Sequence, residues 1–352
     1  MELIGQLLPG SLDIIGDVHG EVDALNALIE NLGYDPDGRH PERRRLVFVG
    51  DLTDRGPDSP AVLNRVISLV ENGAAQCVVG NHELNLLRDV EKHGNDWWVN
   101  PGTPSEFPAA SIGREQKQAA QHFLAGLPLA LERDDLRVVH ACWNEDALAE
   151  LRSREADGVS VLDLYREYAS RLRDRWSNGP LAAAVAKEWR EHGERLTDPG
   201  WSPVVMATLG QMDAEHQMSN PVCIVTSGEE QPTTEPFWAG GRWRMVERVR
   251  WWERYDQDKP VVIGHYWRRF SQARTVYADK YGPDLFDGVA PHEWMGRRKN
   301  VYCVDFSVGG RYAQRQGNAP TSACSLAALR VPEWQVMHDD GSVWSIGAPG
   351  GI

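Results

Sequence analysis

Residues 12–20 read Leu12-Asp13-Ile14-Ile15-Gly16-Asp17-Val18-His19-Gly20. A short run dominated by branched apolar side chains, followed by polar donors between two glycines, describes a buried strand entering a tight turn. The next segment decides what kind of fold holds that strand. Across residues 21–32, Val22, Leu25, Leu28, Ile29 and Leu32 recur at helical spacing, and Gly33 stands where a helix ends. The same strand, polar turn and helix then come twice more. A strand at 46–49 runs into Gly50-Asp51-Leu52-Thr53-Asp54-Arg55-Gly56, with a helix predicted over about 60–71 and closed by Asn72-Gly73. A strand at 76–79 runs into Gly80-Asn81-His82-Glu83, with a helix predicted over about 83–92 and Gly94 beyond it. This rhythm predicts a layered α/β fold. In each repeat the unusual polar residues sit at the carboxyl end of a strand, where open α/β sheets collect their ligand chemistry.

Outward from these repeats, residues 129–133 and 136–140 read as a hairpin split by Asp134-Asp135. Further strands are predicted at 260–264 and 301–306, with 325–331 as the last core strand. The stretch between breaks the rhythm: it is helical at first, then rich in Trp and Pro around Trp201, Trp238, Trp243, Trp251 and Trp252. The expected organisation is a core of residues 1–143 and 258–335, an insertion or cap over 144–257, and a surface tail over 336–352.

With 352 residues, 41% of them hydrophobic, the chain can bury a large core. No apolar run is long enough to span a bilayer, and the first residues lack a signal-peptide pattern, so a cytoplasmic location is expected with no membrane partner. Cys77, Cys142, Cys223, Cys303 and Cys324 are scattered and odd in number, which argues against a disulfide framework and against a zinc knuckle. A net charge of −14 gives no global field to hold DNA or RNA, so no stable nucleic-acid partner is expected.

Five blocks carry potential chemistry: Gly16-Asp17-Val18-His19-Gly20, the run from Gly50 to Gly56, Gly80-Asn81-His82-Glu83, Val139-His140-Ala141, and Gly264-His265. Alternation along an extended segment points Asp17 and His19 the same way, so one ion can take both. Carboxylates, imidazoles and one neutral amide oxygen suit manganese, iron or zinc better than calcium. Two ions roughly 3.5–4 Å apart need a bridging carboxylate, and Asp51 is the natural candidate. Arg55 offers the planar fork that recognises phosphate oxygens. His82, beside Asn81, is placed to protonate a leaving oxygen, with Asp54 to orient its ring. The glycines before the ligands are expected to supply unusual dihedrals and close approach.

Together the blocks GDVHG, GDLTDRGP and GNHE, with the later VHA and GH, resemble the signature of the calcineurin-like metallophosphoesterases, in their phosphoprotein phosphatase branch. They are similar in particular to bacterial asymmetrical bis(5′-nucleosyl)-tetraphosphatases and to the phosphatase domain of bacterial polynucleotide kinase-phosphatases. The resemblance covers about residues 12–143 well and 258–330 loosely. It implies a four-layer αββα sandwich of two mixed sheets between helices. It also implies two divalent metal ions, manganese first with iron or zinc as alternatives: Asp17, His19 and Asp51 around one, Asp51, Asn81, His140 and His265 around the other. A hydroxide bridging the ions would attack phosphorus in line, Arg55 would hold the phosphoryl oxygens, and His82 assisted by Asp54 would help the leaving group depart. The expected substrate is a small phosphorylated molecule, a phosphomonoester or nucleoside polyphosphate.

The sequence departs from that family at Tyr266, where Gly-His-Thr is usual, and at Asp305-Phe306-Ser307-Val308-Gly309-Gly310, where an Asp-Thr-Gly turn is usual. A Ser-Ala-Pro-Asn-Tyr segment is missing, which weighs against a Ser/Thr phosphoprotein phosphatase, the alternative enzyme. A different class of alternative is a silent metal-binding nucleotide sensor or scaffold, and retention of every proposed ligand argues against it. Each block alone is bland: Asn81 can be an N-cap, and His265 a hydrogen-bonded core histidine. Cys142, close to His140, reads first as a packing residue and second as a redox-sensitive thiol. Arg242, Arg244, Arg248 and Arg250 among the tryptophans read first as solvated charges over core aromatics, and second as a base-stacking, phosphate-binding surface.

Overall fold

A computed structural model describes residues 2–177, 179, 181–269, 284–317 and 324–350. The first half of the core contains β1 (Ile4–Gln6), β2 (Leu12–Ile15), α1 (Val22–Asn31), β3 (Arg45–Phe48), α2 (Ser59–Glu71), β4 (Ala75–Cys77) and α3 (Asn81–Arg88). Next come α4 (Asp96–Val99), α5 (Arg114–Ala125) and the hairpin of β5 (Ala130–Arg133) with β6 (Leu136–Val139). The three repeats thus fold as their periodicity predicts. The helix of the third starts two residues earlier than expected, at Asn81, because the ligand-bearing turn is itself the helix start. Asp58 caps α2 by accepting the Ala61 N–H at 2.8 Å, and Pro60 lies in its first turn.

Residues 144–257 form α6 (Glu145–Arg154), α7 (Val161–Ser177), α8 (Ala182–His192), α9 (Ala207–Met218) and α10 (Pro221–Ser227), then a hairpin of β7 (Glu230–Ala239) and β8 (Arg242–Arg248). The helical start was legible; the Trp-rich hairpin was not. Its own small core joins Leu196, Met206, Leu209 and Met245. The main fold resumes with β9 (Val261–Ile263), β10 (Val301–Cys303), α11 (Arg311–Arg315), β11 (Ala327–Val331), β12 (Gln335–His338) and β13 (Val343–Ser345).

Two mixed sheets result. One runs β13-β12-β11-β2-β3-β4, parallel from β2 to β4 and antiparallel from β11 to β13; the other runs β1-β5-β6-β9-β10, with β5 and β6 antiparallel. Side-chain alternation sorts each strand between two layers. Leu12, Ile14, Val47 and Val49 of the first sheet meet Leu131, Val138, Val262 and Tyr302 of the second in a core between the sheets. Ile15, Leu46 and Phe48 face outward onto Leu25, Leu28, Val62 and Val66 of α1 and α2, while Val139, Val261 and Ile263 face outward on the other side with Leu148, Val225 and Trp251. The architecture is a layered α/β fold, as the periodicity predicts, and the αββα sandwich that the family resemblance implies.

Two differences concern the ends of elements. The segment 336–352, expected as a surface tail, instead contributes to β12 and β13, so β11 is not the last strand of its sheet. Val336 is fully buried there and His338 with it, which gives these strands a core anchor that a two-residue apolar pattern does not advertise. One residue on the outward face of β2 is not apolar: Asp13 is fully buried and accepts from Arg44 Nε at 2.8 Å, Arg44 Nη2 at 2.9 Å, Arg330 Nε at 2.9 Å and the Tyr34 hydroxyl at 2.7 Å. Among the described residues no helix is long and apolar enough to cross a membrane. The five cysteines are free; Cys142 is buried, and that burial pushes its thiol far above the reactive range, which supports the packing reading.

Candidate metal centre

The turns after β2, β3, β6 and β9 and the start of α3 converge at one place. Asp17, His19, Asp51, His82, His140 and His265 are all buried there. One ligand atom each of His19, Asp51 and His82 falls within 4.8 Å of the others, and the same holds for Asp51, His140 and His265. Asp51 belongs to both groups. Its Oδ2 lies 3.9 Å from His19 Nε2 and 3.8 Å from His82 Nε2; its Oδ1 lies 3.3 Å from His140 Nε2. Asp17 Oδ2 is 4.0 Å from His19 Nε2, and the Asn81 side-chain oxygen is 3.3 Å from His140 Nε2. Every ligand candidate named from the sequence is therefore present in one cluster, with His82 as a further imidazole inside it.

The imidazoles are oriented from behind. His19 Nδ1 is 2.9 Å from the Thr53 carbonyl and His140 Nδ1 is 2.8 Å from the Val49 carbonyl, so in each ring Nδ1–H donates and Nε2 is left with a lone pair facing Asp51. Among the described residues His265 Nε2 is buried without a hydrogen-bond partner, and its backbone N–H donates to Asp17 Oδ2 at 3.0 Å. His82 Nδ1 meets Asp54 Oδ2 at 2.5 Å, and Asp54 Oδ1 accepts Trp97 Nε1–H at 2.7 Å. The Arg55 guanidinium lies 2.8 Å from His19 Nε2 and over the Trp267 ring, at the edge of the cluster.

The electrostatics call for a cation. Burial, then the neighbouring Asp305 and Asp51, push the Asp17 carboxyl well above its usual range. Burial also acts upward on Asp51, but the His140, His82 and His19 imidazoles prevail and hold it well below. Burial and the Arg55 charge hold His19 well below the ordinary imidazole value; burial and Arg248 do the same for His265. Burial acts downward on His140, but the Asp51 carboxylate prevails and raises it. A buried imidazole nitrogen with no partner among the described residues, closely spaced acids, and the rings of His19 and His265 held neutral are together a donor set fitted to divalent metal ions.

Several residues here escaped the sequence reading. Glu83 is fully buried and accepts the backbone N–H of Asp51 at 2.7 Å, of Leu52 at 2.9 Å and of Gly80 at 3.0 Å, tying the second ligand turn to the third. Burial and the Asp51 charge push it up to about 7. The signal was its place in Gly80-Asn81-His82-Glu83. Asp305 likewise accepts Trp267 N–H at 2.6 Å and Ser307 N–H at 2.8 Å, and Trp97 had no local signal at all.

The glycine expectation needs correcting in detail. Of the four glycines before the ligands, Gly50 alone has positive φ; the left-handed residues are the ligands and their neighbours, His19, Asp51, Asp54, Arg55, His265, Trp267 and Ser307. Such strain gathers at functional sites. Gly264 is required for space instead, since a Cβ there would lie 2.0 Å from Asp17 Oδ1.

Trp97→Phe keeps the ring and removes the donor to Asp54. The expected result is a fall of roughly tenfold in kcat for esters with a poor leaving group, from a lost hydrogen bond to a charged acceptor, and less for an aryl phosphate. Equal losses on both, measured side by side, would assign Trp97 a packing role only.

A two-sheet sandwich whose strand-end turns gather carboxylates and imidazoles into two groups sharing one aspartate defines the class of metal-dependent hydrolases. The family model for calcineurin-like phosphoesterases matches residues 11–286, and the chain belongs to this family. It is a hydrolase of phosphoester or phosphoanhydride bonds that uses divalent metal ions. It is similar to the asymmetrical bis(5′-nucleosyl)-tetraphosphatase PrpE of Oceanobacillus iheyensis, 32% identical over 209 residues covering 55% of this chain and 78% of that protein. The PrpE proteins of Bacillus subtilis and of Geobacillus sp. strain WCH70 are 35% and 49% identical, over 51% and 55% of this chain and 77% and 79% of their own lengths.

Proposed function

We propose that this chain hydrolyses nucleoside polyphosphates of the dinucleoside tetraphosphate kind, at a two-metal site centred on Asp51. The observation that carries the site is Asp51 itself, with one carboxylate oxygen toward His19 and His82 and the other toward His140. The substrate class is supported by the names of the PrpE relatives. Asp17, His19 and Asp51 would hold one ion, and Asp51, Asn81, His140 and His265 the second; manganese is the ion we favour for this mixed donor set, in the cytoplasm. When bound, the ions supply Lewis acidity at the phosphoryl oxygens and an acidified water as nucleophile.

The chain's residues do the rest. Arg55 turns its guanidinium away from His19 to take two phosphoryl oxygens as a fork. His82, held at Nδ1 by Asp54, donates from Nε2 to the departing oxygen. Trp97 and Ser59 fix Asp54 from behind, through Nε1–H on Oδ1 and Oγ on its backbone N–H at 2.9 Å. Residues 144–257 act as a cap that selects the substrate.

The test is a parallel assay with manganese on diadenosine tetraphosphate, a phosphothreonine peptide and an aryl phosphate. The tetraphosphate should give the highest kcat/KM. A peptide turned over better than the tetraphosphate would replace this reading with a phosphoprotein phosphatase.

A further inference from the structure

The cap hairpin presents two unlike faces. Trp243 and Met245 of β8 pack into the cap's own core with Leu196, Met206 and Leu209. Arg242, Arg244 and Arg248 alternate onto the opposite face. None of the three is solvated in the way a surface charge is: all are partly buried. Arg248 reaches the metal centre, where its Nη1 donates to the His265 carbonyl at 3.4 Å. Among the described residues, Arg244 Nε donates to the Ala239 carbonyl at 3.0 Å, and Arg242 Nε is buried with no hydrogen-bond partner. Lys92, just beyond α3, feels Arg244 and Arg242 of this hairpin and also Arg88 at the end of α3, whose guanidinium lies over the Tyr165 ring at 4.3 Å; the hairpin tip at Gly241 lies against His93.

Among the described residues none of these five cations has a carboxylate within 4.0 Å. Glu230 and Asp213 act on Arg244 from further away. The cations oppose one another: burial and the neighbouring Arg242 lower the Arg244 guanidinium, and burial, Arg88 and Arg244 lower the Lys92 ammonium. Two acids, Glu230 opposite Arg248 on β7 and Asp213 on α9, face five cations here, and the positive excess in a partly desolvated place is costly unless a further anion sits among them. The row starts beside a proposed metal ligand and runs along a strand for roughly 20 Å at about 3.3 Å per residue, so that anion would be extended and would begin at the site of cleavage.

We propose that Arg242, Arg244, Arg248, Arg88 and Lys92 form a binding track for a linear polyphosphate chain, holding the phosphates beyond the one under attack. The proposal rests on the nucleoside-polyphosphate reading above and adds to it the part of the chain that reads substrate length. Guanidinium forks suit it because each anhydride-linked phosphate offers paired oxygens.

The experiment uses the full chain with manganese in excess over all phosphates and measures inhibition of aryl phosphate hydrolysis by inorganic tripolyphosphate and by orthophosphate. Tripolyphosphate should inhibit at roughly a tenfold or more lower concentration than orthophosphate, and the double variant Arg242→Gln, Arg244→Gln should abolish that advantage. The charge-retaining pair Arg242→Lys, Arg244→Lys should keep part of it, since the charges remain while the forks are lost, which a purely structural role for the two guanidinium groups would not give. No tripolyphosphate advantage in the unaltered chain, or an advantage that survives the glutamine pair, overturns the track. The outcome is separable from the substrate assay: a chain that cleaves diadenosine tetraphosphate but shows no tripolyphosphate advantage loses the track alone. One that shows the advantage and leaves the tetraphosphate intact keeps the track and loses the substrate.

Discussion

Asp51→Asn is expected to lower kcat by roughly a thousandfold or more on every phosphate ester, about 4 kcal/mol of transition-state stabilisation. The amide keeps the shape of the side chain, and the Asp51 backbone N–H still donates to Glu83 at 2.7 Å, so the turn itself should survive. What is lost is the second anionic oxygen. Oδ1 faces His140 and accepts the His82 backbone N–H at 3.0 Å, while Oδ2 faces His19 and His82; an amide can offer only one acceptor, and its NH₂ would point at an imidazole lone pair or at the ion meant to lie there. Rates should be read alongside bound manganese by elemental analysis, expected to drop to one ion or none per chain, and beside an unchanged circular dichroism spectrum. A rate near that of the unaltered chain would sink the two-metal assignment.

Asp13→Asn should cost about 3–5 kcal/mol of stability and leave the metal ligands in place. The carboxylate of Asp13 is the shared acceptor for Arg44, Arg330 and Tyr34, and Arg44 is 1% exposed. Removing one member of such a group strands the others: a neutral amide leaves two guanidinium groups underpaired inside the protein. Glu333, which accepts from Arg44 Nη1 at 2.8 Å, offsets part of the loss. A thermal midpoint lower by roughly 5–10 °C is the expected readout. A shift within a degree would mean that water or Glu333 replaces the lost pairing. Metal content at moderate temperature should stay unchanged, which separates this substitution from the one at Asp51.

The two sites differ in how much of them could be read from residues alone. The proposed metal ligands sit in turns directly after strands, so their neighbours in sequence carry the pattern, and Asp17, His19, Asp51, Asn81, His140 and His265 were all legible as candidates that the fold brings together. Asp13 was legible as a position in a buried strand, but its partners stand 31 and 317 residues away, and no local period points to them. Glu83 and Trp97 act through groups on other loops, and chain order does not express that geometry. The hairpin of β7 and β8 was hidden because Trp243 and Met245 serve a small core on one face while Arg242, Arg244 and Arg248 lie on the other. An alternation of large aromatic and charged residues reads as neither core nor surface. β12 and β13 went unseen because edge strands this short bury only Val336 and His338.

The placement of β2 also bears on how the chain reaches this structure. On one side it pairs in parallel with β3, some thirty residues on; on the other it pairs antiparallel with β11, where Arg330 stands opposite Asp13. The strand that delivers Asp17 and His19 is thus zipped up by one of the most distant pairings in the molecule, and pairings of that reach form late and slowly. During synthesis the early repeats would wait with one edge of β2 open to any passing strand. Folding intermediates that hold metal weakly, and that aggregate through this edge, are the natural consequence for a molecule built in this order.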